Sequence, residues 1–368
     1  MTPRELTHRI NVGPLAVGGG APVSVQTMAN TDTRDAAASA AQALECFEAG
    51  ADLVRFAVPD EAAARALKSI KAALGPSRPI VADIHFDHRL ALAAIEAGVD
   101  GLRLNPGNIG SAAKVREVAA AARERGVPIR IGVNAGSLEK DLLAKHGGAT
   151  PEALVESALG EIGLLEDAGV EGIKVSVKAS DLQRTVAAYR LLSGRTRHPL
   201  HVGLTEAGTP RRGTVASSAA LGILLFEGIG DTIRVSLTAP PVEEVRVGLA
   251  LLRALGLRGG GASVTSCPTC GRTRCDLVGT AARVEDALEA LYREEPGLPR
   301  PRVAVMGCVV NGPGEARDAD IALVGGTGDF SLYERGERKE RFPEAEAAAR
   351  LVAAVRAFSA RAPGGAAK

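Results

Sequence analysis

Three cysteines and one glutamate near the C-terminus carry the most chemistry in this sequence. They stand in Cys267-Pro-Thr-Cys270 and in Gly307-Cys308-Val-Val-Asn-Gly-Pro-Gly-Glu315. Thiolates spaced in this way hold a soft metal centre, and a carboxylate can complete the set. A Cys-x-x-Cys pair alone serves zinc ribbons, redox dithiols and iron–sulfur sites alike. Structural zinc usually adds a second such pair or two histidines. Here the partner is Cys308, with no histidine nearby. A dithiol would leave Cys308 and the Asn-Gly-Pro-Gly turn behind it unexplained. On the residues alone the fourth ligand stays open between Cys275, which would make the site all-thiolate, and Glu315. A glutamate oxygen matches iron less well than a thiolate, so it can yield its place to substrate. Cys46, inside an Ala- and Leu-rich amphipathic stretch, reads as a buried structural thiol.

A second set of reactive side chains lies where strands should be. Side chains alternate along a strand, so residues two or four apart share a face. Arg103 and Asn105 do so, as do Arg130 and Asn134, Lys174, Ser176 and Lys178, Arg234 and Ser236, and Asp83 and His85. Arg55 falls in another apolar run, and Glu206 follows one. One or two such residues can pair with neighbouring helices. Cations on five strands are harder to account for, because burying them unpaired costs several kcal/mol each, roughly. Converging at one mouth, they call for a multiply charged anion, and a diphosphate suits Arg and Lys donors. The segment 105–110, Asn-Pro-Gly-Asn-Ile-Gly, adds backbone N–H donors ahead of a helix. Asp83, His85 and Glu206 are the acid–base groups placed there, while His8, His88, His146, His198 and His201 lack a comparable setting.

The elements that must position these groups recur regularly. Short apolar runs at 23–28, 52–58, 80–86, 101–105, 129–134, 173–177, 201–205 and 232–237 alternate with amphipathic helices. A glycine follows each intervening helix (Gly50, Gly75, Gly98, Gly126, Gly169, Gly194, Gly228 and Gly256), as expected at a helix C-terminus. Asp60, Ser111 and Thr150 mark helix starts. Eight such units predict a TIM barrel over 1–258, with an open doubly wound sheet as the alternative. Active sites of such barrels lie at the C-terminal ends of the strands, where the polar residues fall. The segment 257–261 reads as a flexible linker. It leads to a smaller α/β domain over 259–368, with strands at 262–265, 302–306 and 321–324 and helices at 281–293 and 343–360. The last six residues read as a frayed tail.

Composition narrows the class. The chain has 368 residues, 46% hydrophobic and 24% charged, which suits a soluble globular protein with ample core. A net charge of +1 supplies no field toward nucleic acid or membrane, and 3% aromatic residues offer few platforms for bases. No apolar run is long enough to span a bilayer, and the N-terminus lacks a signal-peptide core. Five cysteines, four of them clustered, fit a reduced cytoplasm better than a disulfide scaffold.

The motifs resemble one enzyme family. They are 24–33 (Ser-Val-Gln-Thr-Met-Ala-Asn-Thr-Asp-Thr), 82–86 (Ala-Asp-Ile-His-Phe), 103–108 (Arg-Leu-Asn-Pro-Gly-Asn) and 130–134 (Arg-Ile-Gly-Val-Asn). With them go 201–208 (His-Val-Gly-Leu-Thr-Glu-Ala-Gly), 266–270 (Ser-Cys-Pro-Thr-Cys) and 306–315. Spread over nearly the whole chain, they are similar to bacterial 4-hydroxy-3-methylbut-2-enyl diphosphate synthases of the methylerythritol phosphate route to isoprenoids. The resemblance implies a two-electron reductive ring opening of 2-C-methyl-D-erythritol 2,4-cyclodiphosphate with loss of water. It implies a 4Fe-4S cluster on Cys267, Cys270, Cys308 and Glu315. It also implies substrate contacts from Arg55, Asp83, His85, Arg103, Asn105, Arg130, Asn134, Lys178, Glu206, Arg234 and Ser236, with Glu206 as proton donor or electrostatic stabiliser. Lys174 enters through alternation alone. Reduced flavodoxin or ferredoxin is the implied electron donor, and a head-to-tail homodimer brings one subunit's cluster over its partner's barrel. Where the family has an aromatic residue, this chain has Cys275. The competing expectations are a phosphorylated-substrate barrel lyase or transferase with a structural zinc tail, and an iron–sulfur sensor or carrier without catalysis.

Overall fold

Each predicted run, rich in Val, Ile and Leu, contributes a strand of one parallel sheet. In the computed structural model two short strands come first, β1 (Ile10–Val12) and β2 (Leu15–Val17). The sheet then takes β3 (Ser24–Met28), β4 (Leu53–Ala57), β5 (Ile80–Asp83), β6 (Gly101–Leu104), β7 (Ile129–Asn134), β8 (Ile173–Lys178), β9 (His201–Val202) and β10 (Thr232–Ile233). The structure describes residues 1–109, 111–259, 264–295, 297–310 and 312–361, without the side chains of 106, 107, 112, 313, 315 and 359–361. The strands run in the order β8-β7-β6-β5-β4-β3-β10-β9, and a parallel bridge between Val175 and Leu200 brings the two ends together. The result is a nearly closed eight-stranded barrel. β9 and β10 are shorter than their apolar runs, so Arg234 and Ser236 lie just past the paired strand.

The chain divides into two compact units, Met1–Arg258 and Gly259–Lys368. In the first, the apolar faces of the strands turn outward onto the helices and form its main core with Leu67, Ile70, Ile129, Ile173, Tyr189 and Leu252. Asp60 caps its helix through Ala63 N–H and Thr150 does so through Ala153 N–H, whereas Ser111 makes no side-chain cap bond. Gly194 likewise departs from expectation, keeping a right-handed backbone where the other seven glycines have positive φ. The β1–β2 hairpin was not foreseen. Its Ile10, Val12 and Val17 cluster with Leu53 and Val81, at the beginnings of β4 and β5, and so plug the N-terminal end of the barrel. Three-residue runs are too short to show a period. Gly13 at its tip has φ of +55°, and a Cβ there would lie 2.4 Å from Asp100 Oδ1, so glycine is required.

The linker expectation needs correction in its first half. Leu257 packs on the barrel core, and Arg258 forms an ion pair with Asp52, so the chain is anchored there. Gly260, Gly261 and the first half of the strand expected at 262–265 lie outside the described residues, as does the expected tail.

The second unit holds a five-stranded sheet in the order β11 (Val264–Ser266), β12 (Val303–Met306), β13 (Ile321–Gly325), β14 (Asp329–Glu334) and β15 (Glu337–Pro343). The first three are parallel and the last two antiparallel. Val303, Val305, Ile321 and Leu323 pack with Val284 and Leu288 of helix Leu277–Glu294 and with Leu351 and Val355 of helix Ala347–Arg361. The β14–β15 hairpin was missed, and the last helix begins at 347 rather than 343. β15 is a charged edge strand in which Phe342 alone is buried, so no alternation of apolar residues announces it. The other helix starts four residues before the expected 281, where Asp276 accepts a bond from Gly279 N–H.

Candidate active site

Because the apolar positions of β6, β7 and β8 face outward, the alternate positions turn polar groups into the barrel. Arg103 pairs in register with Arg130, and Arg130 with Lys174, setting three cations side by side on β6, β7 and β8. Arg55, Lys178 and Asn105 are buried as well. This departs from the branched apolar layers usual inside such barrels.

One carboxylate answers part of that charge. Asp83 Oδ1 accepts from Arg103 Nη1 at 3.1 Å, and Oδ2 lies 3.5 Å from Arg55 Nε. Burial pushes the Asp83 carboxyl up, but Arg55, His85, Arg103 and Arg130 outweigh it and hold the group well below the usual range. Arg103 Nη2 also donates to the Gly132 carbonyl at 3.0 Å, and a Cβ on Gly132 would sit 2.5 Å from Arg103 Nε. Arg130 donates to Ser176 Oγ at 2.5 Å. Among the described residues, Arg130, Lys174 and Lys178 make no ion pair. Burial first, then the neighbouring arginines, lowers all three, against weaker pulls of Asp83 on Arg130 and Asp231 on Lys174, and Lys174 is brought down to about 7; burial likewise takes Arg55 to about 10, against the pull of Asp83. The Asn105 carbonyl oxygen is buried without a partner. The site is thus a preformed demand for negative charge.

Above these groups opens a cavity of about 700 Å³ lined by His85, Arg103, Asn105, Asn134, Arg184 and Glu206. His85 is mostly exposed, with Nε2 3.7 Å from Asp83 Oδ1 and 3.2 Å from Arg103 Nη1. Glu206 has φ of +54°, a backbone strain tolerated mainly at functional positions. Ser236 is partly buried beside the mouth.

Sequence reasoning missed several groups. Arg184 reaches the cavity from a helix N-terminus, where it pairs with Asp181 at 3.2 Å; it lies on a helix, outside the strand alternation that selected the other cations. His201, set aside as lacking context, is wholly buried inside the barrel with Nδ1 2.5 Å from Thr232 Oγ1; burial and the nearby Lys178 keep it neutral. Its place two residues before Gly203 on an alternating strand was the available signal. Gln26 and Ser24 share this interior with unpartnered polar atoms. Glu244, on helix Pro241–Ala254, pairs with Arg234 at 3.3 Å. An acidic residue in a first helical turn reads as dipole compensation, so nothing marked it. His146 and His198 pair with glutamates away from the site.

In the second unit the cysteines leave the C-terminal ends of adjacent parallel strands. Ser266 pairs with Val305, so Cys267 and Cys308 sit on neighbouring loops. Gly307 N–H points at Cys267 Sγ, 3.3 Å away, and Cys270 N–H donates to Thr273 Oγ1 at 3.1 Å. The Cys270 thiol is exposed and is pulled below its ordinary range, chiefly by the Arg272 backbone N–H. Cys275 differs: burial, then Glu344, pushes it up to about 11, and its Sγ faces the Gly307 carbonyl at 3.8 Å. The backbone of Glu315 lies in the helical turn Gly312–Glu315, and its side chain is outside the described residues. Among the described residues, no three His, Cys, Asp or Glu side chains converge as on one metal ion.

A barrel with buried cations at its mouth, followed by an α/β unit with clustered cysteines, suits a class of enzymes that joins an anionic substrate to soft-metal redox chemistry. The model of the GcpE TIM-barrel domain matches residues 7–249, and that of the GcpE protein C-terminal domain matches 263–357. A 4-hydroxy-3-methylbut-2-en-1-yl diphosphate synthase (flavodoxin) of Geobacter sulfurreducens is 57% identical over 95% of this chain and 97% of its own length. The protein of that name from Maridesulfovibrio salexigens is 55% identical over 92% of each chain. The one from Magnetococcus marinus is 52% identical over 98% of this chain and 95% of its own. The chain belongs to this family of iron–sulfur oxidoreductases.

Proposed function

We infer that this enzyme opens 2-C-methyl-D-erythritol 2,4-cyclodiphosphate reductively to 4-hydroxy-3-methylbut-2-enyl diphosphate. Two electrons and two protons enter, the bridging C–O bond breaks, and one water leaves. The observation that supports this reading is the trio Arg130, Lys174 and Lys178, buried in the barrel and, among the described residues, in no ion pair. A diphosphate supplies the missing charge, with Arg55, Arg103 and Arg234 as further donors and Asn105, Asn134, His85 and Ser236 at the rim. Asp83 keeps Arg55 and Arg103 in place. C–O cleavage leaves negative charge on the departing phosphate, which the preset cations stabilise without rearrangement. Glu206, at the open mouth, donates the proton on which water departs. Cys267, Cys270, Cys308 and Glu315 would hold a 4Fe-4S cluster, which when bound would supply electrons one at a time. Cys275 stands outside that ligand set.

Reduced flavodoxin or ferredoxin is the donor, in keeping with the names of the relatives. A head-to-tail homodimer in the cytoplasm is the proposed setting. Among the described residues no helix is long and apolar enough to cross a membrane. The test is anaerobic turnover of the cyclic diphosphate with a reduced donor, alongside iron and sulfide analysis. Zinc without sulfide and no absorbance near about 400 nm would sink the reading.

A further inference from the structure

Arg234 has a carboxylate behind it, Glu244, whose charge also favours the nearby Arg55 but whose hydrogen bonds to a cation go to Arg234. Glu244 is buried on helix Pro241–Ala254, outside the strand layer. Its Oε1 accepts from Arg234 Nη2 at 3.3 Å and from Leu237 N–H at 3.0 Å. Its Oε2 accepts from Arg234 Nε at 3.4 Å and from Thr27 Oγ1 at 2.8 Å. Both oxygens are therefore filled by groups of β3 and of the loop after β10. The Nε edge of the guanidinium is taken, which leaves Nη1 and the outer Nη2 hydrogen facing away from Glu244. The bond to Leu237 N–H ties down the same loop, next to Ser236. A buried carboxylate whose role was only structural could use neutral donors. This one spends half its acceptor capacity fixing the fork of a cation at the barrel mouth.

We propose that Glu244 is a positioning residue for the diphosphate site. It aims the guanidinium of Arg234, and with it the loop carrying Ser236, at the anion. This rests on the reading of the barrel mouth as the diphosphate site. The geometry is that of a bidentate donor locked along one edge by an anchor, so that its other edge meets phosphate with little freedom left to lose.

The test uses the full-length protein and inorganic pyrophosphate as probe, followed by calorimetry, with anaerobic KM and kcat for the cyclic diphosphate beside it. Glu244→Gln keeps shape and loses the charge and one acceptor. It should weaken pyrophosphate about ten-fold, the scale of one charge-assisted hydrogen bond, and raise KM more than it lowers kcat. In an Arg234→Ala background, Glu244→Gln should change affinity by less than about two-fold, because the group it positions is gone. Equal losses in both backgrounds would mean a structural role and overturn the proposal. If Glu244→Gln fails to fold, Arg234→Lys decides: it keeps the charge and loses the fork, so it should bind as poorly as Arg234→Ala, and wild-type affinity would refute positioning. Should Arg234→Ala itself leave pyrophosphate binding unchanged, the diphosphate reading of the mouth falls and Glu244 with it. Loss on Arg234→Ala without loss on Glu244→Gln removes only the present inference.

Discussion

At the barrel mouth the charged groups are buried and interlocked before any ligand arrives, whereas the cysteines of the second unit sit on loops held by a few bonds. Arg103 is fixed from Asp83 and Gly132, and Arg130 from Ser176. By contrast Cys270 is exposed, and Val309 and Val310 beside Cys308 are about two-thirds exposed, at 65% and 67%. The barrel stores electrostatic cost in its fold and recovers it when an anion binds. The thiol loops store little, and a bound metal group would supply their ordering. One half is preorganised for charge, and the other is completed by what it holds.

The largest effect is expected at the thiols. Cys308→Ser should reduce turnover to background and strip iron and sulfide, while pyrophosphate affinity stays within about two-fold of wild type. A matching loss of pyrophosphate binding would show that the halves are not independent. Next, Arg130→Met should lower turnover by about 100-fold or more with cluster absorbance intact. The same change should raise the thermal midpoint of the ligand-free protein, since it removes a buried cation without an anion. A lower midpoint would break the claim that the barrel carries uncompensated charge.

A subtler effect concerns protons. Lys174 is depressed to about 7 in the fold, and Lys178 shifts the same way. The unfolded lysines, near about 10.4, bind more protons than the folded ones above pH 7. Ligand-free stability should therefore rise with pH from 7 toward 10. A bound diphosphate restores both charges, so binding takes up protons and weakens as pH rises. Calorimetry in buffers of different ionisation enthalpy reads that uptake directly, and proton release would contradict it. Smallest is Cys275→Ala. It should cost about 1–2 kcal/mol for the lost packing of a half-buried thiol and leave iron content unchanged, whereas Glu315→Ala should impair cluster assembly. The reverse pattern would exchange the two as ligands.

Much of the barrel was legible because its strands read outward as apolar and inward as charged with a strict period of two. The same period selected Arg103, Arg130, Lys174 and Lys178. It failed at the β1–β2 hairpin, too short to display a period, and at β15, whose edge position removes the need for an apolar face. It failed at Glu244 for another reason, because a helix residue meets the site across the strand layer and no spacing encodes that encounter. His201 lay on a readable strand, where its alternation with Gly203 was the one cue to its inward position.

The amino-acid sequence by itself determined the eight strand–helix units, the inward cations and the cysteine motifs, because each depends on spacing within a single element. Tertiary structure alone decided which cations find an anion. Asp83 pairs with Arg55 and Arg103, Glu244 pairs with Arg234, and Arg130, Lys174 and Lys178 make no ion pair among the described residues. Charge balance depends on distances between strands and helices far apart in the chain, and only the closed barrel sets those distances.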